Sequence, residues 1–131
     1  MERLNVPQVR VVIIDEHEPV RQALEARLRS SPEVEVVGSA GSWQEGVLLA
    51  AERAADVVLL ETKRADAQGL AALRRLRAEC PRTAVVVLTS YSDAEERQMA
   101  LTAGAARYLL KEIGSTYLVQ EILAIARPSV T

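Results

Sequence analysis

What this chain lacks narrows its chemistry before any motif is read. It has a single cysteine, Cys80, so no internal disulfide is open to it, which fits a reducing compartment. Neither a second cysteine nor a neighbouring histidine activates that thiol, and it is expected to be inert. No apolar run approaches the ~18 residues that a membrane helix requires. The start, Met1-Glu2-Arg3-Leu4-Asn5, lacks the basic-then-apolar layout of a secretion signal, so a cytoplasmic location is expected. Charge is nearly balanced at −2, with both signs interspersed, and nothing resembles the footprint of a nucleic-acid binder. No repeat or low-complexity tract interrupts the chain. Nor does a glycine-rich phosphate loop follow the first apolar run. Asp15-Glu16-His17-Glu18 stands there instead and would repel a phosphate.

What is present is enough for one core. With 131 residues, 49% of them hydrophobic, the chain is expected to form a single domain over residues 1–131, its core at about 9–127. Strand and helix patterns alternate five times. Residues 9–15 form an apolar strand pattern, after which Pro19 suits the first helical position. Val20, Ala23, Leu24 and Leu28 make the stripe of the helix that follows. The second strand pattern, 34–40, alternates as a half-exposed strand does, and Ser42-Trp43-Gln44-Glu45 is a capping box. It opens a helix with Val47, Leu48 and Ala51 facing inward. Val57-Val58-Leu59-Leu60-Glu61 is a buried strand ending abruptly on a carboxylate. Leu70, Leu73 and Leu76 mark a helix that ends near Cys80, because Pro81 disfavours helix at the residue before it.

Residues 84–89 are another continuous apolar run. Ser92-Asp93-Ala94-Glu95 reads as a second capping box, opening a helix that stops at Gly104 and has a thin apolar face of Met99, Ala100 and Ala103. The fifth strand, 106–110, carries Arg107. A last helix, 115–127, has Leu118, Ile122 and Ile125 at helical spacing and is closed by Pro128. The first, third and fourth strands are continuously apolar and want cover on both faces, whereas the second and fifth carry charge and want edges. Right-handed crossovers then favour the order 2-1-3-4-5, that of a flavodoxin-like (βα)5 three-layer α/β sandwich with a parallel five-stranded sheet. In that order Asp15, Glu16 and Glu61 converge beyond the carboxyl ends of adjacent strands, flanked by Thr89 and Lys111.

The segments Ile13-Ile14-Asp15-Glu16-His17, Leu59-Leu60-Glu61, Leu88-Thr89-Ser90 and Gly104-Ala105-Ala106-Arg107-Tyr108-Leu109-Leu110-Lys111 resemble the receiver domain of bacterial two-component response regulators. The likeness covers about 9–127 and is nearest the subgroup with a helix-turn-helix output domain. It implies a non-enzymatic signalling module that acts by protein–protein contact on an output domain or effector protein and so on transcription. The implied partners are a histidine kinase and a second copy of the chain as a homodimer, with no direct nucleic-acid contact by this domain. By position, Asp15 and Glu16 match the acidic pair that holds magnesium, Glu61 the phosphoacceptor, Thr89 and Lys111 the phosphoryl contacts, and Tyr108 the aromatic whose rotation reports activation.

Three departures change what is expected of the chemistry. Glutamate replaces aspartate at the acceptor, and one methylene moves the carboxylate by about 1.5 Å. A misplacement of that order can cost in-line phosphoryl transfer roughly a hundredfold. The acidic pair is Asp-Glu, and Arg64-Ala65 stands where the family often has Met-Pro. Glutamate also supplies charge and reach that partly imitate a phosphoaspartate. Two carboxylates about 5 Å apart at an effective dielectric of about 20 repel by roughly 3 kcal/mol. Lys111, a divalent cation or protonation must offset that, and weak magnesium binding at most by Asp15, Glu16 and Glu61 is expected. His17 is expected to start a helix rather than bind metal. A receiver that takes phosphate on Glu61, or less plausibly on Thr62 or Asp66, is the second reading. A flavodoxin-like enzyme or cofactor binder is the third.

Overall fold

A computed structural model describes residues 7–62 and 67–126. The Arg64-Ala65 pair, Asp66 and the end of the chain from Arg127 onward lie outside the described residues. The elements are β1 (Val9–Ile14), α1 (Glu18–Arg29), β2 (Val34–Ala40), α2 (Trp43–Glu52), β3 (Val57–Glu61), α3 (Ala67–Glu79), β4 (Ala84–Thr89), α4 (Ala94–Thr102), β5 (Arg107–Leu110) and α5 (Ser115–Ala126). All strand pairs are parallel, in the order β2-β1-β3-β4-β5. The edges are β2 and β5, whose side chains are largely half-buried, whereas the inner strands β1 and β3 are buried along most of their length although they carry Arg10 and Glu61.

Alternation along the strands sorts the core into two halves. Val12, Ile14, Val58, Leu60, Val85 and Val87 pack with residues of α2, α3 and α4. Their neighbours Val11, Ile13, Val57, Leu59, Val86 and Leu88 pack with Leu24 and Leu28 of α1 and Leu118 and Ile122 of α5. Each of these side chains is buried, and full burial of an aliphatic side chain is worth about 1.5–3 kcal/mol. The sheet is therefore the middle of three layers.

Helix rotation departs from the sequence pattern in three places. In α2 the buried positions are Gly46, Val47 and Ala50, while Leu48 and Ala51 face water. The cause is a close approach. A Cβ on Gly46 would lie 2.3 Å from Ile14 Cδ1, so α2 seats directly on β1 through this glycine. In α1 only Leu24 and Leu28 are buried, whereas Val20 and Ala23 are exposed, and Pro19 is the second helical residue, with His17 at the N-cap. In α4 the cap is Asp93, whose side chain accepts from the Glu96 amide, so the capping box is Asp93 to Glu96, one residue later than Ser92 to Glu95. The Ser42 cap of α2 lies where its motif placed it and accepts from the Glu45 amide at 3.2 Å.

Candidate functional site

Strand register sets the site. Ile14 pairs with Leu60, so Asp15 and Glu61 leave the sheet at the same level. Thr89 pairs with Leu110, so Lys111 emerges just beyond Thr89. Backbone bonds from Asp15 N to Ala40 O, Thr62 N to Leu88 O and Lys111 N to Thr89 O continue the ladder past the strand ends. Side-chain alternation then divides the residues at these strand ends. Asp15, Glu61 and Lys111 follow the parity of Ile13, Leu59 and Leu109, on the α1/α5 side. Thr62, Thr89 and Tyr108 follow that of Leu60 and Val87, on the α4 side.

On the first side, the Lys111 ammonium lies 3.3 Å from Asp15 Oδ2 and 3.3 Å from Glu61 Oε2. The Asp15 side chain is 2% exposed and that of Glu61 10%, so the pair is largely out of water. The other Asp15 oxygen accepts from the His17 amide at 3.0 Å, with His17 Nδ1 3.6 Å away. That is the local turn aspartate favours. It makes His17 a helix-start residue. At an effective dielectric of about 20, each ammonium–carboxylate contact is worth about 5 kcal/mol before desolvation, against roughly 3 kcal/mol of repulsion between carboxylates about 5 Å apart. The two contacts to Lys111 thus offset the repulsion between the acids in sign.

Glu16 is exposed. It borders a shallow cavity of about 130 Å³ together with Asp15, Glu61, Trp43 and Gly69. Among the described residues, no three His, Cys, Asp or Glu side chains gather closely enough to hold a metal ion. Asp15, Glu16 and Glu61 thus share a rim without forming a ready cage, and the lysine stands between two of them. A second, largely apolar cavity of about 260 Å³ opens beside the same acids, walled by Val20, Ala23 and Leu24 of α1 and floored by Leu59 and Leu88. This is where the exposed part of the α1 stripe goes.

On the second side, the Thr89 hydroxyl donates to Tyr91 O at 3.0 Å and accepts from the Tyr91 amide at 3.3 Å, closing its own loop. The Tyr108 hydroxyl donates to Glu96 Oε1 at 2.5 Å, with the Asp93 amide and Tyr91 O each 3.4 Å away. The Thr62 hydroxyl approaches Glu96 Oε2 at 3.5 Å. Burial, reinforced by the bond to Glu96, raises the Tyr108 phenol above its ordinary value. Sequence reasoning missed Glu96. The available signal was the Asp93-to-Glu96 spacing, read one residue early. Cys80 is buried, and burial followed by the charge of Glu79 raises its thiol.

Comparison with known proteins gives a consistent set. The family model described as response regulator receiver domain matches residues 11–123. The transcriptional regulatory protein LiaR of Bacillus subtilis is 35% identical over 119 residues, covering 91% of this chain and 56% of that protein. The DNA-binding transcriptional activator DevR/DosR of Mycobacterium tuberculosis is 34% identical over 114 residues, covering 87% of this chain and 52% of that protein. Among solved structures, the signal receiver domain of the response regulator NarL from Mycobacterium tuberculosis superposes with a TM-score of 0.86 at 28% identity, covering 95% of this chain and 100% of that one. The chain spans about half the length of the curated relatives it matches.

Proposed function

The chain belongs to the response regulator receiver family, and from that membership we propose that it is a signalling receiver with glutamate at the acceptor place, held by its own lysine in a state that partly imitates phosphorylation. The observation that carries this reading is Lys111 bonded to Asp15 and Glu61 together at 3.3 Å. A glutamate at the end of β3 reaches further than aspartate, and its charge meets the ammonium that would otherwise meet a phosphoryl oxygen. The module acts by contact and catalyses no reaction of its own.

The output is an effector or a DNA-binding domain controlling transcription, in line with relatives that extend well beyond the matched half. The contact face is α4, β5 and α5, which exposes Tyr91, Met99, Leu110 and Tyr117. A second copy of the chain can pair through the same face. A histidine kinase remains the upstream partner only if residue 61 takes phosphate. No helix among the described residues is long and apolar enough to cross a membrane, and the place of action under this reading is the cytoplasm. Magnesium binds weakly, because an ammonium already stands between two of its three candidate ligands.

The test is incubation with acetyl phosphate and magnesium, followed by intact mass. The protein is expected to keep its mass, while Glu61→Asp gains one phosphate. A phosphate gained by the unaltered chain would move the reading to a phosphorylation-competent receiver. Thr62 is a poor alternative acceptor, because its buried hydroxyl is directed to Glu96. Calorimetric titration showing tight magnesium binding would overturn the lysine-held state.

A further inference from the structure

Helix α4 is seated unlike the other helices. Of its nine residues only Glu96 and Ala100 are buried, and Met99 is exposed. Helix α3 by contrast buries Ala72, Leu73 and Leu76. A buried alanine methyl gives little of the area-dependent attraction that holds a helix down. A buried carboxylate is costly unless hydrogen-bonded. Here it accepts from Tyr108 of β5 and is approached at 3.5 Å by the hydroxyl of Thr62, just past the end of β3. The 2.5 Å contact to the Tyr108 hydroxyl has the length of a charge-assisted O–H···O bond. Glu96 is also fixed from its own backbone, since its amide is the donor to the Asp93 cap at 3.0 Å. Its place in the first turn suits the helix dipole.

We propose that Glu96 is a positioning residue: its carboxylate, gripping the Tyr108 hydroxyl and reaching Thr62, seats α4 on the sheet and holds the Tyr108 ring inward. The seat is polar where those of the neighbouring helices are apolar, so it depends on hydrogen-bond partners more than on the packing of a core. Thr62 follows Glu61 in the chain, so the seat is one residue from the acidic site. The inference stands on α4 geometry alone and does not require Glu61 to imitate a phosphorylated residue. Its failure and the failure of the signalling reading are therefore separate outcomes.

Two measurements on the whole chain test it. In hydrogen exchange, Glu96→Ala is expected to raise exchange across Ala94–Thr102 by about tenfold while Val9–Ile14 changes less than about twofold, the mark of a local opening. Glu96→Gln keeps an acceptor for Tyr108 and should restore much of the protection, whereas Glu96→Met, similar in bulk but without that acceptor, should not. Fluorine NMR of fluorotyrosine-labelled protein supplies a signature that general destabilisation would not move. The chain has three tyrosines, two of them, Tyr91 and Tyr117, more than half exposed. The remaining resonance is expected to shift toward the exposed pair in Glu96→Ala. If that variant does not fold, Tyr108→Phe provides the same exchange test from the other end of the bond. Unchanged α4 exchange, a rise spread evenly over the sheet, or an unmoved Tyr108 resonance would each overturn the proposal.

Discussion

Two polar clusters sit a few residues apart at one edge of the sheet and are built on opposite plans. On the α1/α5 side, Asp15, Glu61 and Lys111 form a charged cluster in which one cation serves two anions. On the α4 side, Glu96 is a single carboxylate served by two hydroxyls, those of Tyr108 and Thr62. The first is long in range and depends on charge count; the second is short in range and depends on hydrogen-bond geometry. A charged cluster reports on anything that adds or removes charge, and a hydroxyl-held carboxylate reports on where a helix lies. Strand alternation alone puts the two clusters on opposite sides of the sheet.

The comparison is broken most severely at the lysine. Lys111→Met leaves Asp15 and Glu61 facing each other without their cation, and urea denaturation is expected to show a loss of about 3 kcal/mol. Adding Glu61→Gln to that variant should recover part of the loss, because Asp15 then has one like-charged neighbour fewer. No recovery would mean that charge count does not govern this side.

Tyr108→Phe removes the phenol donor to Glu96 and is expected to cost about 1 kcal/mol, the net worth of one hydrogen bond. The loss should leave Lys111→Met additive with it, as for clusters with no shared partner among the described residues. A sizeable coupling energy in the double variant would show that the two sides are one network.

Alkaline titration sharpens the contrast further. The Tyr108 phenol is raised above its ordinary value of 10.0. Its contribution is therefore whole below that pH and is lost as pH climbs through the higher folded value, where the native state holds a proton that the unfolded chain has released. Stability above pH 10 should fall in the parent and fall less in Tyr108→Phe. The smallest effect is expected at His17→Ala, within about 0.5 kcal/mol, because an exposed imidazole adds little to an aspartate already bonded to a backbone amide.

Much of this could be read from the chain itself. The four apolar runs ending at Asp15, Glu61, Thr89 and Lys111 gave the strands, and their relative apolarity gave the edges. The meeting of Asp15, Glu61 and Lys111 followed from strand order. The division of Thr89 and Tyr108 from those three was also legible, since side chains alternate with period two, but it was not drawn. What stayed out of reach was helix rotation. Leu48 reads as a core residue and faces water, and Glu96 reads as a surface acid and is buried. In both cases a contact distant in sequence decides: Gly46 lying against Ile14, and Tyr108 reaching across from β5.

The amino-acid order determined the layered architecture, because apolar periodicity and turn chemistry are local and act before the chain meets itself. Register then carried three charged residues to one place with no further instruction. Tertiary packing alone decided which way α2 and α4 turn and which cavities remain beside α1. A helix can rotate about its axis at small local cost, so its final angle is set by whichever remote side chain fits closest.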